Sequence, residues 1–273
     1  MSRKNILFAS ITGIFLILSC AAPSLVAPQP APTTDPNRLS TLVAGTASVL
    51  MTQTARAAGL LVTPTETPYA TPTRPASGSV LKVQPDGSTY FADAATGLEM
   101  VIPPGWMALR IGEQEYYSAW ADETSQRLGF TNILTNFSNQ DPNVVRLITL
   151  DTLDGHSQNL FTTNIIVQTG YSRTADEAAQ IQLEHHRAVF TDLEVIAQQA
   201  GEISPGVQAV TLETAYNGVS ISTGEEVRVY EKLVVLAANG QVTSIKLETP
   251  DAARAVTLPQ FDQILAGLAF FTP

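Results

Sequence analysis

Cysteine is nearly missing from this chain. Cys20 stands alone, which excludes an intrachain disulfide framework and a zinc site built from several thiolates. Basic residues are also scarce, with 15 Lys and Arg against 25 Asp and Glu and a formal net charge of −10. Nucleic acids are gripped by concentrated Lys and Arg, so a nucleic-acid partner is excluded, and a basic docking face for anionic lipid headgroups is disfavoured. The apolar run at residues 6–18 is about 13 residues, against the ~20 that span a bilayer as a helix. No G-x-S-x-G nucleophile elbow occurs. Glycine-rich phosphate loops are missing too: Gly201, Gly206, Gly218 and Gly224 stand singly at turns.

What is present begins with an address. Arg3 and Lys4 precede the apolar run, which ends in Ile17-Leu18-Ser19-Cys20, with the small residues Ala21 and Ala22 beyond. This order resembles a bacterial lipoprotein signal peptide with its lipobox. The resemblance implies cleavage between Ser19 and Cys20 and a diacylglycerol on the Cys20 sulfur. Two acyl chains, at ~0.8 kcal/mol per buried CH₂, give lasting membrane attachment. The expected location is therefore extracytoplasmic, with the membrane as a partner through the lipid anchor. Ala21, where an Asp would stand, supplies no inner-membrane retention signal of the enterobacterial kind.

The next segment resists compaction. Residues 21–36 are Pro-rich, and residues 63–78 (TPTETPYATPTRPASG) return to Thr and Pro. Such composition favours extended polyproline conformations and acts as a spacer. Between them, residues 37–58 lose their prolines and gain Leu39, Leu42, Val43, Val49 and Leu50, the makings of a short helix that is marginal alone. The expected layout is a signal peptide at 1–19, a lipid-anchored linker at 20–79 and a folded domain at 80–273.

Within that domain, residues 90–93 and 98–102 read as two strands joined through Ala94-Ala95-Thr96-Gly97. Residues 113–138 fit one helix, with Tyr116, Tyr117 and Trp120 at helical spacing. Residues 144–150 and 160–169 read as strands around an Asp154-Gly155 turn. Thr174, with Glu177 three residues on, is a capping-box start for a helix whose apolar face holds Ala175, Ala178, Ala179, Leu183, His186, Val189 and Phe190. Strands follow at 194–203, 207–216, 227–237 and 241–249, the last two flanking Asn239-Gly240, a pair suited to a type I′ turn. A final helix at 258–268 takes Thr257 as its cap, with Pro259 in its first turn. Tight hairpins imply antiparallel pairing, so the expected fold class is α+β: an antiparallel sheet covered by helices.

Phe91-x-Asp93, Gly97, Pro103-Pro104-Gly105-Trp106, the strand-rich second half and the closing Phe261, Ile264 and Phe270 together resemble the PsbP-like family. DcrB-type envelope lipoproteins and a small Ran-binding nuclear-import factor share that αβα sandwich. The leader, Thr/Pro spacer and acidic domain also resemble lipoproteins of filamentous, Chloroflexi-type bacteria. The resemblance spans about residues 88–271 and implies a non-catalytic module that docks on an envelope protein partner.

Candidate chemistry is thin. Glu184-His185-His186 lies on the capped helix, but adjacent imidazoles diverge by about 100° and do not meet on one ion. His186 falls inside the apolar stripe and reads as packed; His156 reads as a turn residue. No cofactor, metal site or catalytic residue is expected. Trp106, Tyr116, Tyr117 and Trp120 are candidates for a binding surface, since Tyr and Trp are enriched at hot spots; the same residues also serve as core. Three readings stay open: a tethered binding or assembly module, a carrier or sensor of a lipid or metabolite, and a metal-dependent enzyme using His156, His185 or His186.

Overall fold

The computed structural model describes residues 73–170, 174–238 and 240–272. They belong to the compact unit Ala70–Pro273. The leader, Cys20, most of the linker and Asn239 of the expected type I′ turn lie outside the described residues.

Two antiparallel sheets form the frame. The smaller has four strands: β1 (Ser79–Val83), β2 (Thr89–Asp93), β3 (Leu98–Ile102) and, at the far edge, β13 (Ala269–Phe270). The larger has seven, in the order β4 (Trp106–Leu109), β5 (Val145–Asp151), β8 (Asn164–Gly170), β12 (Gln241–Pro250), β11 (Glu226–Ala238), β10 (Val207–Val219) and β9 (Glu194–Ser204). A short ladder joins β6 (Ser157–Gln158) to β7 (Phe161–Thr162). This is an α+β fold with antiparallel sheets, as the sequence predicts.

Helices account for the main differences. In place of one helix over 113–138 there are three: α1 (Gln114–Ala119), α2 (Glu123–Arg127) and α3 (Phe130–Phe137). Asp122 restarts the chain as an N-cap, accepting the Ser125 N–H at 3.0 Å from extended backbone, which interrupts the helix. Gly129 sits at φ +72 before α3, a left-handed conformation that no helix interior contains. The capped helix α4 (Ala175–Val189) forms as expected, Thr174 Oγ1 accepting the Glu177 N–H at 3.1 Å. Its Val189, read as part of the packed stripe, is instead exposed. The last helix, α5 (Arg254–Ala266), starts four residues early, following a 3₁₀ turn at Asp251–Ala253. Thr257 is therefore not its cap: the buried hydroxyl donates to Ala253 O at 3.1 Å from inside the helix.

Period-two alternation gives the large sheet two faces. One face packs Leu147, Ile165, Val167, Val234, Leu236, Ile245 and Leu247 against Phe91, Leu98, Met100 and Ile102 of the small sheet and Phe261, Ile264 and Leu265 of α5. Trp106 belongs here, buried, with its indole N–H donating to Gln260 Oε1 at 2.7 Å. Asp93 and Arg146 bind the sheets together through two charge-assisted hydrogen bonds, 2.9 and 2.6 Å, with the carboxylate wholly buried. The opposite face is covered by helices in two separate places. Helices α1–α3 pack over Leu109, Ile148, Leu150 and Ile166, and α4 packs over Val210, Leu212, Leu233 and Val235.

Gly105 of the Pro-Pro-Gly-Trp turn has φ +91, and an added Cβ would lie 2.9 Å from Leu153 Cγ and Cδ2. Gly105→Ala is expected to destabilise by more than ~1 kcal/mol, from backbone strain and from this overlap. Adding Leu153→Ala in a thermal or urea melt should recover the steric part and leave the backbone part. Unchanged stability in Gly105→Ala would contradict the geometry.

Candidate functional site

A polar row crosses the helix-covered face between its two apolar clusters. Strand register places Thr214 opposite Glu231, Glu231 opposite Glu248, and Glu248 opposite Asn164. The row runs through the centre of the sheet, where β11 otherwise presents Val227, Val229, Leu233 and Val235 on the same side. Two carboxylates directly opposed in a sheet repel unless one is protonated or a cation intervenes. Here Lys246 intervenes: its Nζ donates to Glu248 Oε1 at 2.8 Å and lies 3.9 Å from Glu231 Oε2. Tyr216 also donates to Glu248 Oε1, at 3.1 Å. From α4, His186 Nε2 approaches Glu231 Oε2 to 3.6 Å and is paired with the Gln182 amide at 2.7 Å. With that amide donating, the neutral imidazole carries its proton at Nδ1.

Burial sets the protonation states. It pushes Glu231 up to about 8, an effect that Lys246 only partly offsets and Glu248 reinforces. It pushes His186 down to about 4, with the Lys246 charge acting in the same direction. For Glu248, burial opposes ionisation, but Lys246 and Tyr216 overcome it and hold the carboxyl below its usual range. Burial would likewise depress Lys246, yet Glu248 and Glu231 lift it above the ordinary ammonium value. Near neutral pH the centre thus holds a Lys246–Glu248 ion pair, a protonated Glu231 and a neutral His186.

Six buried side-chain atoms among the described residues have no hydrogen-bond partner in the protein: Thr162 Oγ1, Asn164 Oδ1, His186 Nδ1, Thr214 Oγ1 and both oxygens of Glu231. All belong to this row or to its immediate neighbours. Native interiors leave few such groups, and here they are concentrated in one stripe.

At the Asn164 end the row opens into a cleft of about 270 Å³. Ile133, Phe137, Leu160, Phe161, Ile166 and Ile221 form apolar walls, and Thr162, Asn164 and Glu248 supply polar groups. Two consecutive non-glycine residues at the rim, Asn159 and Leu160, have φ of +52 and +58. Left-handed backbone at a leucine costs on the order of 1–3 kcal/mol and persists only where the surroundings impose it. Here Ser220 and Thr223, from the β10–β11 connection, both donate to Asn159 O, at 2.6 and 3.1 Å. An apolar cleft with a few polar groups, shifted titrations and strained backbone is the arrangement expected of a binding site. A second cleft, on the α4 side, is lined by Gln182, Ser244 and Lys246.

The aromatic candidates from the sequence do not line either cleft. Trp106 and Tyr116 are buried, which removes them from any partner surface; Trp120 is half-buried and Tyr117 exposed. His156 is engaged with buried Asp151, Nδ1 to Oδ2 at 2.6 Å, and His185 is exposed. No group of three or more metal-ligating side chains comes together among the described residues. Sequence reading passed over Glu231, Glu248, Asn164 and Thr162. One signal was there: Glu231 interrupts the alternation Val227, Val229, Leu233, Val235 at a position due for an apolar residue.

No family model matches the chain, and no curated protein matches it. Solved structures similar to it include the cyanobacterial PsbP (CyanoP) of Synechocystis sp. PCC 6803, with TM-score 0.44, 15% identity and coverage of 71% of this chain and 98% of that one. The Ran-binding protein Mog1p of Saccharomyces cerevisiae gives 0.39 and 9%, covering 64% and 90%. LpqN of Mycobacterium tuberculosis, described as involved in cell envelope biogenesis, gives 0.36 and 12%, covering 70% and 89%.

Burial of Glu231 makes stability depend on pH. An unfolded glutamate loses its proton near 4.5, whereas the folded one keeps it to about 8, so stability falls as pH rises through that window. His186 acts oppositely: unfolded it gains a proton near 6.5, folded only near 4, so stability falls as pH drops through that range. The two oppose each other below 6.5, and Glu231 acts alone above it. Calorimetric Tm should therefore decline by a few degrees from pH 6.5 to 8, and Glu231→Gln should flatten the decline. An equal slope in the variant would show that Glu231 is not its source.

Proposed function

We propose that this chain is an extracytoplasmic, lipid-anchored binding protein whose domain works without catalytic turnover. Cys20 carries the diacylglycerol, the Pro- and Thr-rich segment holds the domain off the bilayer, and the cleft beside Asn164 and Glu248 receives a small ligand. The observation that carries the binding role is the cluster of unpartnered buried polar atoms leading into that apolar cleft. Recognition needs apolar walls and a few fixed polar groups, and those are what the site offers. The lipobox-like Ile17-Leu18-Ser19-Cys20 carries the anchor.

A second reading, docking on another envelope protein, is favoured by β9. Its 11 residues are largely exposed, and it pairs on one side only, with β10. Such an edge can accept a strand from a partner, although register shifts opposite Val207/Gln208 and Glu213/Thr214 make it irregular.

The anchor is tested in cells of the native host. Cys20→Ser is expected to abolish lipid labelling and either release the protein from membranes or leave an uncleaved precursor. Wild-type protein that takes up no labelled fatty acid and fractionates like the variant would overturn the reading.

A further inference from the structure

Lys246 stands between two carboxyl groups in different states. Glu248 receives the Lys246 ammonium at 2.8 Å and the Tyr216 hydroxyl at 3.1 Å, both on Oε1, and these two hold it ionised. Glu231 is wholly buried, and neither of its oxygens has a hydrogen-bond partner. Burial keeps it protonated up to about 8. Strand register brings the groups together: Glu231 lies opposite Glu248 and Lys246 opposite Leu233, so Glu231 on β11 and Lys246 on β12 are diagonal neighbours on one face. Lys246 Nζ is 3.9 Å from Glu231 Oε2.

An amine, a carboxylic acid and a carboxylate base held side by side in a buried site are the reactants of an amide condensation. An ionised carboxylate is a poor electrophile, whereas a protonated carboxyl has a hydroxyl that can leave as water. Glu231, although farther from Nζ than Glu248, is therefore the acyl donor, and Glu248 is the base. With no hydrogen bond to hold it, the Glu231 carboxyl can rotate to bring its carbon within the ~3–3.5 Å of a reactive approach. Fixing the partners in one fold replaces a bimolecular encounter with an intramolecular one, and burial keeps bulk water from the acyl carbon.

We propose that Lys246 and Glu231 join in an intramolecular isopeptide bond between β11 and β12, with Glu248 as the proton acceptor. Glu248 takes one proton from the Lys246 ammonium, and the freed amine attacks Glu231 Cδ. The N–C bond forms and the C–OH bond breaks; a second proton from the nitrogen goes to the departing hydroxyl, which leaves as water. Ammonium, ionised Glu248 and protonated Glu231 thus become an amide, one water and protonated Glu248, balanced in atoms and charge without a co-reactant. Lys246 lines the second cleft, which gives the water a way out. The bond takes Glu231 out of titration, so the decline of Tm above pH 6.5 belongs to chains in which it has not formed. In a chain whose one cysteine excludes an internal disulfide, this cross-link ties two central strands.

Mass spectrometry of tryptic peptides from the purified full chain, denatured before digestion, tests this. Trypsin cuts after Arg228, Lys232, Lys246 and Arg254. In the joined chain the cut at Lys246 is lost, and residues 229–232 are expected to emerge attached to residues 233–254, one water mass lighter than the two peptides together. Fragmentation should place the link at Glu231 and Lys246. Residues 229–232 and 233–246 recovered only as free peptides of full mass would overturn the proposal, a result that needs no variant to fold. Water lost within residues 233–254, with residues 229–232 free, would assign the bond to Glu248 and overturn the choice of Glu231. Lys246→Arg, which keeps the charge, should abolish joining, and Glu248→Gln, which removes the base at nearly constant shape, should slow it about a hundredfold or more. Undiminished joining in Glu248→Gln would overturn the role given to Glu248. The readout is confined to residues 229–254 and is independent of both the anchor at Cys20 and ligand binding in the cleft.

Discussion

Glu231 and Glu248 face each other across neighbouring central strands, and the helix-side architecture follows from that opposition. The row divides the apolar surface beneath the helices: α1–α3 cover one cluster and α4 the other, and α4 meets the row itself with His186, a buried imidazole 3.6 Å from Glu231. Ionised side chains buried there hold only because they pair with one another or lose their charge. Lys246 is shared between the acids and Glu231 stays protonated, while the cleft opens at the Asn164 end, between α3, the strands β7 and β8 and the β10–β11 connection. On the opposite face the small sheet and α5 pack over an apolar cluster, and the charges there, Glu213, Lys232, Arg254 and Asp262, pair with one another beside α5.

Legibility in the sequence followed the range of the interactions involved. Elements set by local chemistry could be read: the β2–β3 pair across its short turn, the alternating strands β10 to β12, and α4 from Thr174 and Glu177. Elements set by distant partners could not. The 113–138 stretch has helical spacing, but Asp122 and Gly129 divide it. The early start of α5 depends on buried Thr257 bonding to Thr249 across to β12, at 3.1 Å, and β13 exists only because β3 offers it an edge.

The site was the least legible part for the same reason. Thr162, Asn164, Thr214, Glu231 and Glu248 come from four strands of the large sheet and one of the small ladder, and only the register aligns them. Each alone is an ordinary polar residue. Glu231 breaks the apolar alternation of β11, but a single interruption does not disclose what lies opposite. Conversely Trp106 and Tyr116, conspicuous by type, fill the interior: aromatic area is the commonest material of cores as well as of interfaces.

The salt link between Asp93 and Arg146 has a consequence for how this sequence can drift. It joins β2 to β5, and thus one sheet to the other, through a carboxylate with no exposed surface. Replacing either residue alone strands its counterpart's charge in the interior, the costly way to break such a link. Evolutionary change at these two positions has to proceed as a couple.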